Sequence, residues 1–285
     1  ADVVACCQSP TNYQINQTIY TATSGIWSPS GNPFGNIESI NVNGAIVVPN
    51  GVTLTINNMA MNFSTLGKIV VQKGGRLNLN ATTLDGLCGS MWLGIQVEGN
   101  GGSQIPSPVP AGYQYPGRVY TNTNTIIRNA VVGITNTILG DLSISSIQQS
   151  LLNYQEPLPT EGGNLSSWIL ANYLWTTDAT TKAGGVVNVQ NTSFINCFQG
   201  INLSWRGHKL NRIENSRFDV LGDALPYPFT DPSVSTMTNK AEAGVVLMGT
   251  SIAELGTAWA LTSIKTCTFI AYRFGIRSNF INSLT

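Results

Sequence analysis

Apolar side chains recur along this chain in a pattern that repeats about every 23 residues. A large apolar anchor is followed six positions later by a Gly-Ile pair, and the clearest anchors are Ile127, Phe194 and Phe269. Another aliphatic residue lies five positions before the anchor, as Val189 does before Phe194. Short apolar runs bounded by turn residues are typical of β-strands. The pattern therefore predicts a repeated unit of three short strands.

The spacing of the anchors predicts a solenoid. Met61 and Leu84 are 23 residues apart and Phe194 and Phe218 are 24 apart, which fits one turn of a repeat protein. A unit of this length without a regular helix predicts an all-β fold, the parallel β-helix, in which equivalent residues stack in columns about 4.8 Å apart. The predicted columns are the anchors Met61, Leu84, Ile127, Phe194, Phe218 and Phe269, and the post-glycine residues Ile95, Ile134, Ile201, Val245 and Ile276.

Glycine and asparagine recur where each coil is expected to turn. Asparagine tolerates left-handed backbone geometry, so the asparagines that follow an aliphatic strand residue are expected to form a ladder of amide bonds along the axis. These are Asn58, Asn191 and Asn215. Glycine is expected at a tight corner where a side chain would clash or demand a negative φ. These glycines are Gly94, Gly133, Gly200, Gly244 and Gly275.

Three segments also resemble a known family. Residues 44–56 and 68–79 look like coils of right-handed parallel β-helix proteins of the pectate-lyase-like superfamily. Residues 91–99 contain Trp-Leu-Gly-Ile and resemble a segment common in large secreted surface proteins of Bacteroidota. The resemblance covers about 37–276 and implies a right-handed coil. That superfamily contains lyases, hydrolases, adhesins and tailspikes, so the resemblance indicates a fold and leaves the activity open.

Several stretches depart from the repeat. Residues 1–36 have irregular apolar spacing and predict an N-terminal cap on a β-helix that occupies 37–285. Insertions are predicted at about 100–117, 140–183 and 221–241. The middle insertion has apolar spacing compatible with one or two short helices, and it either docks a partner or packs on the solenoid wall.

The end of the repeat raises the question of assembly. No polar capping element follows the last Gly-Ile pair, Gly275 and Ile276, so an open C-terminal coil is expected. A partner, a further domain or a second copy of the chain would cover it. Homo-assembly through this coil is therefore one expected interaction.

Composition narrows the classes of partner. The 285 residues carry 14 basic and 14 acidic side chains, and only 10% are charged, which argues against nucleic acid and anionic membrane as partners. No apolar run approaches the roughly 18 residues needed to cross a bilayer, so no membrane insertion is expected. The chain begins at Ala1 rather than Met, which favours a mature exported chain, secreted or at the cell surface.

The five cysteines lack the spacing and histidine partners of a zinc site, and no cofactor is predicted. Cys6 and Cys7 are expected to be oxidised, one of them to Cys88. Cys197 and Cys267 lie in apolar strands and are expected to be small core residues.

One group of charged residues is the candidate catalytic site if the chain is an enzyme. Superfamily lyases abstract a proton α to a uronate carboxylate with Arg or Lys, often with Ca²⁺ held by clustered acids. The candidates here are Asp219, Asp223, Arg217 and His208. The alternative is that these charges line a solvated wall and pair across strands.

Aromatic residues offer a different chemistry. An exposed tryptophan can stack on the CH face of a sugar ring, whereas a buried one packs in the core or at a coil junction. The tryptophans considered are Trp92, Trp205 and Trp259.

Two function hypotheses follow. A repetitive chain with few charges and many Asn and Thr residues favours a non-enzymatic extracellular β-helix: a scaffold, an adhesin or a surface-assembly subunit, with a cell-surface glycan as a partner. The alternative is a polysaccharide lyase or glycoside hydrolase that acts on uronate-containing polysaccharide.

Overall fold

The computed structural model describes residues 13–15, 19–64, 67–100, 106–136, 184–204, 211–221, 241, 243–248, 263–272 and 274–279. These residues form short β-strands, and the helical structure among them is a single 3₁₀ turn at Leu87–Gly89. The helices predicted within 140–183 lie outside the described residues.

Every third strand belongs to the same parallel sheet, so three successive strands make one coil. Sheet A contains β1 (Tyr13–Ile15), β4 (Ser39–Val42), β7 (Ala60–Phe63), β10 (Thr83–Gly86), β13 (Thr125–Arg128), β16 (Thr192–Ile195), β19 (Arg217–Asp219) and β22 (Thr268–Ile270). Sheet B contains β2 (Ile19–Thr21), β5 (Ala45–Val48), β8 (Lys68–Val71), β11 (Trp92–Val97), β14 (Ala130–Thr135), β17 (Gln199–Ser204), β20 (Ala243–Met248) and β23 (Phe274–Asn279). Sheet C contains β3 (Gly25–Trp27), β6 (Thr53–Asn57), β9 (Arg76–Asn80), β12 (Arg118–Asn122), β15 (Val186–Gln190), β18 (Arg212–Glu214) and β21 (Ser263–Lys265).

This strand order is that of a right-handed parallel β-helix, so the predicted fold is confirmed. Phe218 lies opposite both Phe194 and Phe269 in the sheet A register, and the other predicted anchors pair in the same way. The post-glycine residues pair along sheet B, for example Ile201 with Val245. Equivalent side chains of successive coils therefore lie in continuous columns, whatever the length of the insertions between them.

Aromatic rings fill the interior of the coil next to sheet A. Phe194 and Phe218 stack with ring centroids 4.8 Å apart, and Phe218 and Phe269 follow at 4.9 Å. Phe63 and Trp92 stack in the same way at 4.4 Å. Burial of a side chain of this size stabilises the fold by about 1.5–3 kcal/mol. Parallel stacking at the strand spacing lets each coil add to the same apolar spine.

The recurring glycines do not turn corners, so that part of the prediction was wrong, whereas the predicted clash of a side chain at these positions is confirmed. They lie inside the sheet B strands, and a Cβ on Gly200 would come within 2.5 Å of the Phe218 ring. The same glycine–phenylalanine contact recurs in neighbouring coils, at Gly133, Gly244 and Gly275. Only Gly94 needs its backbone freedom, because its φ is +102° and a Cβ would meet the carbonyl oxygen of Val132. The glycine column thus makes room for the ring stack.

The corner between sheet C and the next strand of sheet A uses left-handed asparagine. Asn58, Asn191 and Asn215 have φ values of 54°, 47° and 46°. The amide of Asn215 donates to Asn191, whose own amide donates to Asn122 at 2.7 Å. Asn58 also has left-handed backbone geometry but takes no part in this ladder. In its coil the amide bond runs from Asn80 to Asn57, one residue before the corner.

The stacking of strands begins earlier than the sequence suggests. β1, β2 and β3 pair in parallel with β4, β5 and β6. Part of the segment expected to be a cap, 1–36, therefore forms a coil that is continuous with the rest of the sheets. The described part of the first insertion, 106–117, contains no strand, whereas 140–183 and 222–240 lie outside the described residues.

The cysteines that can be described separate into two kinds. Cys88 is disulfide-bonded, and Cys197 and Cys267 are free thiols. Cys197 is fully buried, as expected of a small core residue, and Cys267 is half-buried. The expected place inside strands was wrong, because Cys197 lies between β16 and β17 and Cys267 lies between β21 and β22. Cys6 and Cys7 lie outside the described residues.

Candidate functional site

The outer face of sheet C carries an open groove of about 350 Å³. It forms because β9, β12 and β15 alternate buried and outward residues: Leu77 and Leu79 of β9 lie in the core while the residues between them face out. Thr121 also lines the groove but is buried. The outward side chains that line it are Thr55, Arg76, Asn78, Asn80, Tyr120, Asn122, Asn188 and Gln190.

Strand register arranges the amide and hydroxyl groups in two rows across the sheet, one through Asn78 and the other through Asn80 and Asn122. Thr55, Asn78, Tyr120 and Asn188 are successive partners in one row. The amide of Asn78 donates to Thr55 at 3.0 Å and its oxygen accepts from Arg76 Nε at 2.9 Å. These bonds fix side chains that would otherwise rotate, so the groove presents amide groups in set orientations.

The groove is positively charged and contains no carboxylate among its lining residues. The Arg76 guanidinium carbon lies 4.5 Å from the centroid of the Tyr120 ring. Such a cation–π contact holds the planar group against the ring and leaves its edge free to donate hydrogen bonds. The arrangement suits a ligand with several hydroxyl or acidic oxygens.

The two candidate catalytic residues among the described residues lie on a different sheet from the groove. Arg217 and Asp219 are on β19 of sheet A, where Arg217 Nη2 and Nε donate to Asp219 Oδ2 at 2.6 and 3.1 Å. Asp219 is only 5% exposed, so this pair ties it to a single partner. Asp223 and His208 lie outside the described residues.

A second acid on the same sheet, Asp85, is too far from Asp219 to work with it. Burial raises the pKa of Asp85, while the Asn129 amide, the Arg128 guanidinium and the Gly86 N–H act to lower it. β10 and β19 are three strand positions apart, or about 14 Å at the usual strand spacing. Glycosidase carboxylates lie about 5–9.5 Å apart. These two carboxylates therefore do not form an acid–base pair.

Cys197 and Trp92 have structural roles. Burial raises the pKa of the Cys197 thiol to about 12, so it stays protonated and is a poor nucleophile. Trp92 is fully buried, stacks on Phe63 and donates from its indole Nε1 to the Arg128 carbonyl at 2.8 Å. It is not available to a sugar ring; Trp205 and Trp259 lie outside the described residues.

Sequence reasoning missed the groove itself. Its signal is the run Arg-Leu-Asn-Leu-Asn, which alternates polar and apolar residues at period two, followed by similar polar alternation in β12 and β15. Those residues become one surface only when the register places Asn78 beside Tyr120. Insertions of unequal length between the strands hide that register in the sequence.

No group of three or more His, Cys, Asp or Glu residues lies close enough to hold a metal ion in the described part of the chain. Within the same residues, no helix has the length and apolar character that a bilayer crossing requires.

Comparison with models of protein families, with curated proteins and with solved structures finds no match for this chain. The β-helix assignment therefore rests on the strand pairing itself.

Proposed function

We propose that this chain is a non-enzymatic extracellular β-helix scaffold that acts as an adhesin and binds a cell-surface glycan through the outer face of sheet C. The observation that supports the proposal is the groove lined by amide, hydroxyl, tyrosine and arginine side chains. A sugar chain offers hydroxyl groups that both donate and accept. Each Asn or Gln side chain supplies both functions as well.

The groove is preorganised for binding. Asn78 is held by Thr55 and Arg76, and Asn80 donates to Asn57 at 2.9 Å. Groups already fixed in position lose little conformational freedom when a ligand binds. The Tyr120 ring, fixed by Arg76, adds an aromatic plane next to the amides.

The charged groups of sheet A support a structural role rather than a catalytic one. Asp219 is paired with Arg217, and Asp85 lies 3.5 Å from Arg128 and accepts from Asn129 at 2.8 Å. Such pairs across or along strands stabilise the outer face of a sheet. A catalytic acid and base would instead face a common substrate position.

An extracellular location is part of the proposal. The disulfide bond of Cys88 supports an oxidising compartment, because disulfides persist mainly in exported proteins. The resemblance of residues 91–99 to surface proteins of Bacteroidota, and of the coils to the pectate-lyase-like superfamily, points in the same direction.

Binding should be tested by affinity electrophoresis of the full chain in gels that contain neutral or acidic polysaccharides. We expect retardation by at least one polymer, lost in Asn78→Ala and Tyr120→Ala but kept in the control Ser193→Ala, which changes an outward position of sheet A. The same polymers should stay intact. Release of unsaturated product from a uronate polymer, with or without Ca²⁺ and abolished in Asp219→Ala, would overturn the proposal in favour of a lyase.

Assembly of copies is a second form of the scaffold proposal. Ile270, Phe274 and Ile276 in the last described coil are 38%, 38% and 39% exposed, although Ile276 continues a column that is fully buried in earlier coils. Light scattering at rising concentration tests it: growth in mass supports assembly through this coil, and a monomer at all concentrations contradicts it.

A further inference from the structure

Two arginines lie side by side at one end of the sheet C groove without a carboxylate partner among the described residues. Arg76 of β9 and Arg118 of β12 are direct register partners, so their backbones are one strand spacing, about 4.8 Å, apart. The ion pairs found in the described part of the chain involve Arg128, Arg212 and Arg217. Neither Arg76 nor Arg118 forms an ion pair with a carboxylate in the described part of the chain.

Both guanidinium groups are held by tyrosine rings. Arg118 lies 5.2 Å from the Tyr115 centroid, as Arg76 lies 4.5 Å from that of Tyr120. Tyr115 reaches this position from the first insertion, where it packs edge-on against Tyr113 at 5.3 Å. Asn100 fastens that segment by donating to the Tyr113 hydroxyl at 2.9 Å. The insertion therefore supplies the tyrosine ring that packs against Arg118.

The hydrogen bonding of the pair is incomplete. Arg118 Nε is buried and has no hydrogen-bond partner, whereas Arg76 Nε donates to Asn78. A buried donor without an acceptor destabilises the fold, and like charges directly opposite in a sheet repel. An anion placed between the two groups would relieve both costs. Guanidinium edges match the paired oxygens of a carboxylate or sulfate group.

We propose that Arg76 and Arg118 form a subsite for the acidic group of a glycan, a carboxylate or a sulfate ester, while the amide rows bind the neighbouring sugar hydroxyls. This inference rests on the proposed glycan binding and names the class of glycan. The first insertion takes part in the subsite because it carries Tyr115.

The test compares matched polymers on the full chain by calorimetry: dextran, dextran sulfate and polygalacturonate. We expect the acidic polymers to bind at least about tenfold tighter than dextran, which is about 1.4 kcal/mol, since charge-assisted hydrogen bonds are stronger than neutral ones. Preference for dextran sulfate identifies a sulfate subsite, and preference for polygalacturonate identifies a carboxylate subsite. Arg76→Gln and Arg118→Gln should each remove most of the preference.

The control is Arg212→Gln. Arg212 faces out from the same sheet but pairs with Glu214 at 2.7 Å, so its loss should leave the preference unchanged. Equal loss in all three variants would mean nonspecific charge attraction and would overturn the subsite. Binding of dextran that depends on Asn78 and is unaffected by Arg76→Gln would also overturn it while leaving the proposed function intact. No binding to any polymer would contradict both.

Discussion

At the scale of single residues, the glycine column of sheet B is a packing device. Gly200 lies so close to the Phe218 ring and to the carbonyl oxygen of Gly244 that a methyl group would come within 2.5 Å of both. We expect Gly200→Ala to lower the free energy of unfolding by about 1–3 kcal/mol or more, because the ring and a neighbouring strand must both move. Urea unfolding followed by tryptophan fluorescence would measure it.

Two other glycines provide the matched controls. Gly25 in β3 has nothing within 4 Å of an added Cβ, so Gly25→Ala should leave stability within about 0.5 kcal/mol. Gly275 meets the Phe269 ring at 3.2 Å, and its substitution should fall between the two. A cost for Gly25→Ala as large as that for Gly200→Ala would show that strand propensity, rather than the ring contact, selects glycine.

A partly buried acid on sheet A, Asp85, gives a prediction about pH. Burial raises the pKa of Asp85 above its usual 3.8, so the folded state holds this proton at a pH where the unfolded chain has lost it. Stability from this group is therefore lost as the pH rises. We expect Asp85→Asn to gain stability relative to the wild type between about pH 3 and pH 7, measured by thermal unfolding. A constant difference across that range would contradict the raised pKa.

At the scale of the element, the corners after β15 and β18 are left-handed turns whose asparagine side chains bond to neighbouring coils. Asn191→Ala removes its bonds to Asn122 and Asn215 and leaves an alanine with φ near 47°. We expect a loss of about 1–3 kcal/mol of stability. Asn191→Gly should be milder by about 1 kcal/mol, since glycine adopts this geometry without strain.

The control for this turn is already an alanine. Ala81 occupies the equivalent corner one coil after Asn58, with φ of 48°. Ala81→Gly should raise the unfolding free energy or leave it unchanged, because no amide bond is lost and strain is relieved. Thermal unfolding of all three variants separates the cost of backbone strain from the contribution of the amide ladder. If Asn191→Gly is as stable as the wild type, the ladder contributes nothing.

At the scale of the whole molecule, the apolar spine could be predicted from the sequence and the outer surface could not. A column residue such as Phe194 must be apolar in every coil, so the period alone places it opposite Phe218. The recurrence of Gly200 is visible in the sequence, but its contact with a ring of the adjacent sheet depends on how far apart the sheets pack. Arg76 and Arg118 are separated in sequence by an insertion, and only the register makes them neighbours.

The apolar spine also predicts which strands lose stability when one coil is destabilised. Each coil contacts mainly the coils before and after it, so stability in such a solenoid is close to a sum of neighbouring terms. Gly200→Ala should therefore speed native-state hydrogen exchange in β14, β17 and β20, which are adjacent in sheet B, and leave β5 and β6 unchanged. Exchange measured by mass spectrometry on peptides from these strands tests this. Equal acceleration in every strand would mean that the coils open as one cooperative unit, because the stacked rings and the continuous ladders couple them more strongly than nearest-neighbour contacts require.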